Sequence, residues 1–462
     1  MTGRLSALRA DISRILPLAW PLLIGQVAVL MFATVDTVLV ARHSAIDLAA
    51  LAVGGGAYIT VFIGLMGIVL AIGPIVGQLY GDKRLEAAGE QLHQALWLAF
   101  GLSFVGCTLL VFPQPFLALS RATPEVAAKI RGYLLALAFS LPAGLGFAAY
   151  RGFNNAVSRP KAVMAIQLCG LLLKVPLSAL LVYGVGPVPS LGVTGCGIAT
   201  AAAMWLQAAL AWRVMRRDRF YDPFALFGRG LHAPNRAALW AQVKLGVPMG
   251  ATIMIEVTGF VSMAFFISRI GATAVAGHQI AANLVSLLFM LPLSLANAIS
   301  TLVAQNVGAG RLHDARRMGW SGMQFTALVA LVLGSAVFFA REGIVRLYTG
   351  NEAIVAAALP LLAWVALFHF VDAMQIASSF VLRGWRIATV PMIIYASSIW
   401  GLGVCGGYAL AFNAGGAVPA ALHGARGFWI ASTAGLGTAA LGLTLFLAWV
   451  LRQRDPVTPP EH

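Results

Sequence analysis

Apolar residues run along this chain in long, interrupted stretches. They fall at about 15–41, 48–79, 92–119, 130–155, 162–184 and 191–214, and after a polar gap at about 242–268, 275–304, 317–340, 353–383, 390–412 and 425–451. Each stretch exceeds the roughly 20 residues a helix needs to cross the hydrocarbon core of a bilayer. The pattern therefore predicts an all-α integral membrane protein of about twelve transmembrane helices. Composition agrees, since the chain is 60% hydrophobic and only 10% charged, against about 25% charged in a soluble domain. The polar segment from Arg213 to Lys244, with Pro223 and Pro234, reads as a connector between two groups of six helices. The expected organisation is a first lobe at 1–214, a cytoplasmic linker at 215–241, a second lobe at 242–451 and a disordered tail at 452–462.

A net charge of +15 invites a nucleic-acid reading until the basic residues are placed on the spans. With the N-terminus inside, 22 of the 31 lysines and arginines fall in inner segments and 8 in outer ones, while Lys174 lies within a helix. This bias predicts that both termini are cytoplasmic, as an even number of spans requires. The four cysteines, Cys107, Cys169, Cys196 and Cys405, sit in apolar stretches without metal-ligand spacing and read as packing residues. The first apolar stretch is too long for a signal-peptide core and is expected to remain as the first helix.

The chain also repeats itself. Laying the segment from Pro21 on that from Pro248, an offset of 227, matches Arg42 with Arg269, Phe62 with Phe289, Gln78 with Gln305, Gly81 with Gly308, Arg84 with Arg311 and Glu125 with Glu352, without a gap. Arg151-Gly152 resembles Arg383-Gly384 after a small insertion. Each half thus reads as a six-helix bundle, and six being even, the halves run parallel. Parallel repeats of this kind suit a carrier that works by alternating access.

Several motifs now carry a family resemblance: Pro21 followed by Asp36, Gly-Gln-Leu-Tyr-Gly at 77–81, Arg-Gly at 151–152, Leu-Gly-Val-Thr-Gly-Cys-Gly-Ile-Ala-Thr at 191–200, the Glu256 segment, Gly-His-Gln-Ile at 277–280, Asp372 and Leu-Arg-Gly at 382–384. In order and spacing they resemble the multidrug and toxic compound extrusion (MATE) family, closest to its NorM-like branch, nearly end to end. The resemblance implies a V-shaped carrier that expels organic, often cationic, compounds in exchange for Na+ or H+.

The residues themselves point to ion coupling. Asp36, Glu256 and Asp372 each lie well inside an apolar stretch, where an ionised side chain is expensive and usually functional. Glu256 is about 13 residues, or about 20 Å, from Arg269, and Asp372 about 11 residues, or about 16 Å, from Arg383, so both reach a similar depth in one lobe. Two carboxylates at one depth can share a cation or a proton. The resemblance assigns the matching acids a part in cation binding and coupling; a structural hydrogen bond is the other reading. Asp36 belongs to the other lobe, about 9 Å below the helix end at Arg42. Pro21 removes a backbone hydrogen bond from the same helix and is a candidate conformational switch, although prolines also occur in membrane helices without one.

The chain departs from the family in helix five, where NorM-like proteins carry two asparagines flanking Ile-Pro-Leu. Here the segment reads Lys174-Val-Pro-Leu-Ser178. An ammonium there can stand in for a bound cation and pair with Asp36, which puts sodium binding in the first lobe in doubt; snorkelling of Lys174 to an interface is the alternative. Asp36, Glu256, Asp372, Lys174 and Ser178 are therefore the expected ion- or proton-coupling set. Asp372 and Glu256, with Gln279, Phe289 and Phe368, are the expected substrate contacts, the last three being equally compatible with helix packing or a lipid face.

The expectation is a secondary active multidrug efflux antiporter, exporting organic, mostly cationic amphipathic compounds in exchange for Na+ or H+ without a cofactor, as a monomer in the bacterial inner membrane. A lipid-linked oligosaccharide flippase of the same architecture is the alternative, against which the acidic character of the buried charges argues. An intramembrane enzyme finds no zinc helix, no nucleophile elbow and no phosphate-binding loop in this sequence.

Overall fold

A computed structural model of the chain describes residues 2–120, 122–184, 186–187, 189–227, 232–416 and 418–453. Among them, twelve helices are long and apolar enough to span a bilayer: α1 (Thr2–Ala41), α2 (Ala45–Gly81), α3 (Leu85–Val111), α4 (Pro124–Ala156), α5 (Pro160–Tyr183), α6 (Val193–Arg217), α7 (Arg236–Ser268), α8 (Ala272–Gly308), α9 (Leu312–Tyr348), α10 (Glu352–Gly384), α11 (Thr389–Ala411) and α12 (Ala425–Gln453). Residues 454–462, with most of the expected tail, lie outside the described residues, as do Arg121, Arg229 and Arg454 of the charge count.

Local chemistry fixes the helix ends. Ser44 accepts the Asp47 N–H at the start of α2, Asn235 accepts the Ala237 N–H at the start of α7, and Asn351 accepts the Ala353 N–H at the start of α10. Pro124 and Pro160 open α4 and α5, where a missing N–H does no harm. The third apolar stretch, expected to run to 119, ends as a helix at Val111. Pro113 stops it, because proline drives the preceding residue out of the α region, and Phe112 accordingly sits at φ −109°, ψ 70°. A short separate helix, Gln114–Ser120, then carries the remaining apolar residues.

The duplication is written into the backbone. α1 and α7 end at Ala41 and Ser268, α2 and α8 begin at Ala45 and Ala272 and end at Gly81 and Gly308, and α3 and α9 begin at Leu85 and Leu312, always 227 residues apart. The turns match atom for atom: Arg84 N–H donates to the Leu79 carbonyl at 2.9 Å, as Arg311 N–H does to Asn306. Lys83 and Gly310 occupy the same left-handed position, at φ 60° and 71°.

The chain forms two compact units, Trp20–Ala251, and Met1–Ala19 with Thr252–His462. In each, small and branched apolar side chains fill the interior, while large ones such as Phe104 (76% exposed) and Phe339 (83%) stand outside. Outward-facing phenylalanine and leucine around a packed interior fit hydrocarbon as solvent.

In the first unit, the segment between α6 and α7 is tied down. Asp218 accepts the Phe220 N–H and pairs with Arg159, whose guanidinium lies 4.4 Å from the Phe220 ring centroid. The Phe220 backbone N–H, then the guanidinium, hold the Asp218 carboxyl below the usual carboxylate range. Tyr221 donates to Asn154 at 2.6 Å, Gln94 donates to the Ala233 carbonyl and accepts the Asn235 N–H, and Trp97 donates to the His232 carbonyl. Gly89 makes this docking close, since a Cβ there would overlap the Phe224 carbonyl oxygen. Gly89→Ala is expected to destabilise the protein by about 1–3 kcal/mol, read as a lower thermal unfolding midpoint, with no effect at Gly101, where a Cβ meets nothing.

Candidate functional site

Three helices of the first unit converge on one buried charge pair. α1 carries Asp36, α5 carries Lys174 and Ser178, and α6 carries Thr200. The Lys174 ammonium, wholly shielded from solvent, lies 2.9 Å and 3.0 Å from the two Asp36 carboxylate oxygens and donates to Thr200 Oγ1 at 2.6 Å. Thr200 donates its own hydrogen to the Cys196 carbonyl at 2.9 Å, which turns an oxygen lone pair toward the lysine. Ser178 donates to Asp36 Oδ1 at 3.4 Å, and the Phe32 ring centroid is 5.3 Å from Nζ. Each ammonium N–H thus has an acceptor, and a π face lies beside it. Bidentate contact, added hydrogen bonds and full burial are what a buried ion pair needs to survive its desolvation. Pro21 is buried on the same helix, 15 residues before Asp36.

A second acid, Asp47, is also fully buried in this unit, at the start of α2, where Lys129 approaches to 2.8 Å and His43 to 3.5 Å. The sequence assigns it no role, because at a helix N-terminus an aspartate reads as a capping residue.

The second unit brings Glu256 and Asp372 to one small cavity, of about 30 Å³, walled by α7, α10, α11 and α12. Phe260 and Phe368, 5.8 Å apart and edge to face, form part of its wall, and Tyr395 contributes the remaining polar group of size. A space of that volume holds one or two waters or an ion, not an organic compound. Two carboxylates facing a dry cavity cannot both stay ionised without a shared counter-charge, so the arrangement takes up a cation or a proton. The cavity owes its shape to α11, whose residues Ser397–Cys405 form a widened π turn that sets Ile399 and Gly403 in the wall. Such turns often occur at functional sites. Gly435 of α12 lets the turn pack closely, since a Cβ there would overlap the Ser398 oxygen.

Of the other sequence candidates, Phe368 lines this cavity and is buried. Gln279 sits on the exposed face of α8 and Phe289 is half-buried on the same helix; neither is in the cavity wall. Among the described residues no cluster of three or more metal-ligating side chains is present. Thr200, Tyr395 and the widened turn escaped the sequence; the run of glycines at 401, 403, 406 and 407 is the one trace the turn leaves there.

Comparison with known proteins places the chain. The MatE family profile matches residues 21–180 and again 248–409, starting at the two prolines that open the internal repeat. A probable multidrug resistance protein NorM of Aromatoleum aromaticum is 38% identical, over 94% of this chain and 92% of the relative. Multidrug resistance protein PmpM of Pseudomonas aeruginosa is 34% identical, over 96% and 92%. Among solved structures, a Vibrio cholerae MATE transporter, VcmN, superposes with a TM-score of 0.87 at 16% identity, covering 97% of this chain and 99% of the other.

Proposed function

Because this chain belongs to the MatE family, we propose that it is a multi-pass bacterial multidrug efflux transporter, a secondary carrier that exports organic, mostly cationic compounds in exchange for Na+ or H+ by alternating access. Relatives that are 31–38% identical over nearly their whole length carry the names of multidrug resistance proteins, which favours efflux over lipid-linked oligosaccharide flipping. Members of this family are transporters rather than enzymes and need no cofactor. The inner membrane as location, both termini on the cytoplasmic side and a monomeric state complete the proposal; the charge bias supports the orientation.

The observation that carries the coupling reading is the pair of acids on the small cavity of the second unit. There Glu256 and Asp372 take the mobile ion, and binding of that ion and of a cationic substrate at or beside these carboxylates is mutually exclusive, which is the requirement for exchange. Phe368 offers an apolar face beside the acids, and Gln279 and Phe289 are the further substrate contacts. In the first unit the Lys174 ammonium already fills the place of a small cation on Asp36. The pair, with Ser178, opens to a proton or to a cationic substrate during the cycle, and α1 responds by bending at Pro21.

The test is efflux of ethidium from proteoliposomes with a sodium gradient and a proton gradient imposed separately. One gradient is expected to drive efflux that the other does not replace. No efflux under either, with transfer of a lipid-linked oligosaccharide instead, is the result that would overturn the reading.

A further inference from the structure

Three buried nitrogens of the second unit have no hydrogen-bond partner: His278 Nδ1 on α8, His369 Nε2 on α10 and Trp429 Nε1 on α12. Their residues are 2%, 2% and 0% exposed. They belong to one seam. The His278 and Trp429 ring centroids are 5.9 Å apart, those of Trp429 and Phe368 are 5.4 Å apart, and Phe368 forms part of the wall of the Glu256–Asp372 cavity. His369 follows Phe368 and stands three residues before Asp372, so the imidazole and the carboxylate are neighbours on one helix surface. At the other end, His278 lies six residues into α8 and Trp429 four residues into α12, about 9 Å and 6 Å from the helix ends. On the charge bias those ends face outward.

A plug of packed aromatic rings would be dry, but buried polar atoms without partners are rare, and where they occur together they mark ordered water. An indole N–H can only donate, whereas an imidazole nitrogen lacking hydrogen only accepts. One water between them satisfies both, its oxygen toward Trp429 and a hydrogen toward a histidine. We propose that this seam is an internal water site through which His278 and His369 deliver protons from the outer face to Asp372. The inference rests on the coupling reading above and adds the route.

The transfer balances. Outer water protonates one ring nitrogen of His278 while the other ring nitrogen gives its hydrogen to the internal water. That water passes one of its own to His369 Nε2, and the other nitrogen of His369 protonates the Asp372 carboxylate. Both rings end neutral, as the opposite tautomer, and only Asp372 changes charge. The titratable groups that the neighbouring helices present at the inner end of the seam are Glu256 of α7 and Tyr395 of α11.

The experiment measures ethidium efflux driven by a proton gradient in proteoliposomes, together with the ethidium Kd of the purified protein. His278→Ala is expected to slow efflux about tenfold with Kd unchanged, and millimolar imidazole outside the vesicles to restore most of the lost rate, because a diffusible base replaces the missing relay. A side chain that merely fills space would not be rescued by imidazole. Trp429→Phe keeps the ring and removes only the N–H, so it carries the test if His278→Ala does not fold, and it too is expected to slow efflux. Failure of imidazole to restore His278→Ala, or an intact rate in both variants, overturns the route alone. Absence of proton-driven efflux in the unaltered protein overturns the coupling reading and the route together.

Discussion

Lys174→Met and Asp36→Asn are each expected to destabilise the protein by about 3–5 kcal/mol, and the double variant to recover most of that loss. Each single change strands a buried group of its former partner. Without Lys174, the Asp36 carboxylate keeps a 3.4 Å contact from Ser178 and little else; without Asp36, the ammonium keeps Thr200 and the face of Phe32. Removing both leaves apolar or neutral groups of similar volume, which a lipid-embedded helix cluster tolerates well. Thermal unfolding of the four proteins in detergent gives the coupling energy directly as a double-mutant cycle. Transport decides what the pair is for. If it takes part in the cycle, the double variant is stable yet its efflux is impaired, whereas a double variant that exports ethidium at the full rate would reduce the pair to a structural staple.

Much of the fold was legible because membrane helices obey a one-dimensional rule: apolar length predicts a span, and the repeat of 227 residues predicts where the second half starts its helices. The turn at Lys83 and its counterpart at Gly310 follow from that repeat alone. What the rule misses is irregular backbone. The apolar residues Phe116 and Leu117 extend the third stretch past Pro113, so hydropathy carries the span on while the proline ends the helix. The widened turn at Ser397–Cys405 leaves hydropathy unchanged and shows only as excess glycine.

Site legibility divides in the same way. An ionisable residue in an apolar stretch announces itself by its cost, and depth counted from helix ends tells which such residues lie level. Neither argument finds a neutral partner. Thr200 bonds the carbonyl four residues back, as most helical threonines do, and nothing in the sequence separates it from Thr433, which does only that. Trp429 likewise reads as core filler until its indole nitrogen is seen to lack an acceptor.

Asp372→Asn is expected to abolish gradient-driven efflux, by about 100-fold or more, equivalent to about 2.7 kcal/mol at 1.36 kcal/mol per tenfold change. The fold should be unharmed or steadier. This sign is opposite to that for Asp36, and the reason is local: Asp36 faces a cation, whereas Asp372 faces Glu256 across a cavity of about 30 Å³. An amide of the same shape removes one of two like charges from an apolar enclosure, relieving repulsion while leaving the packing of Phe368 and Phe260 in place. Transport suffers because a single carboxylate cannot alternate between holding an ion and releasing it to a cationic substrate with the same differential affinity. Glu256→Gln should behave alike, and the double variant should be scarcely worse than either single, since residues that act as a unit are not additive. Efflux rates in proteoliposomes beside unfolding midpoints in detergent test both halves of the claim. Asp372→Asn that exports within about threefold of the unaltered rate, on that same scale, would remove the second-unit acids from coupling and leave Asp36 and Lys174 as the site to which the gradient is tied.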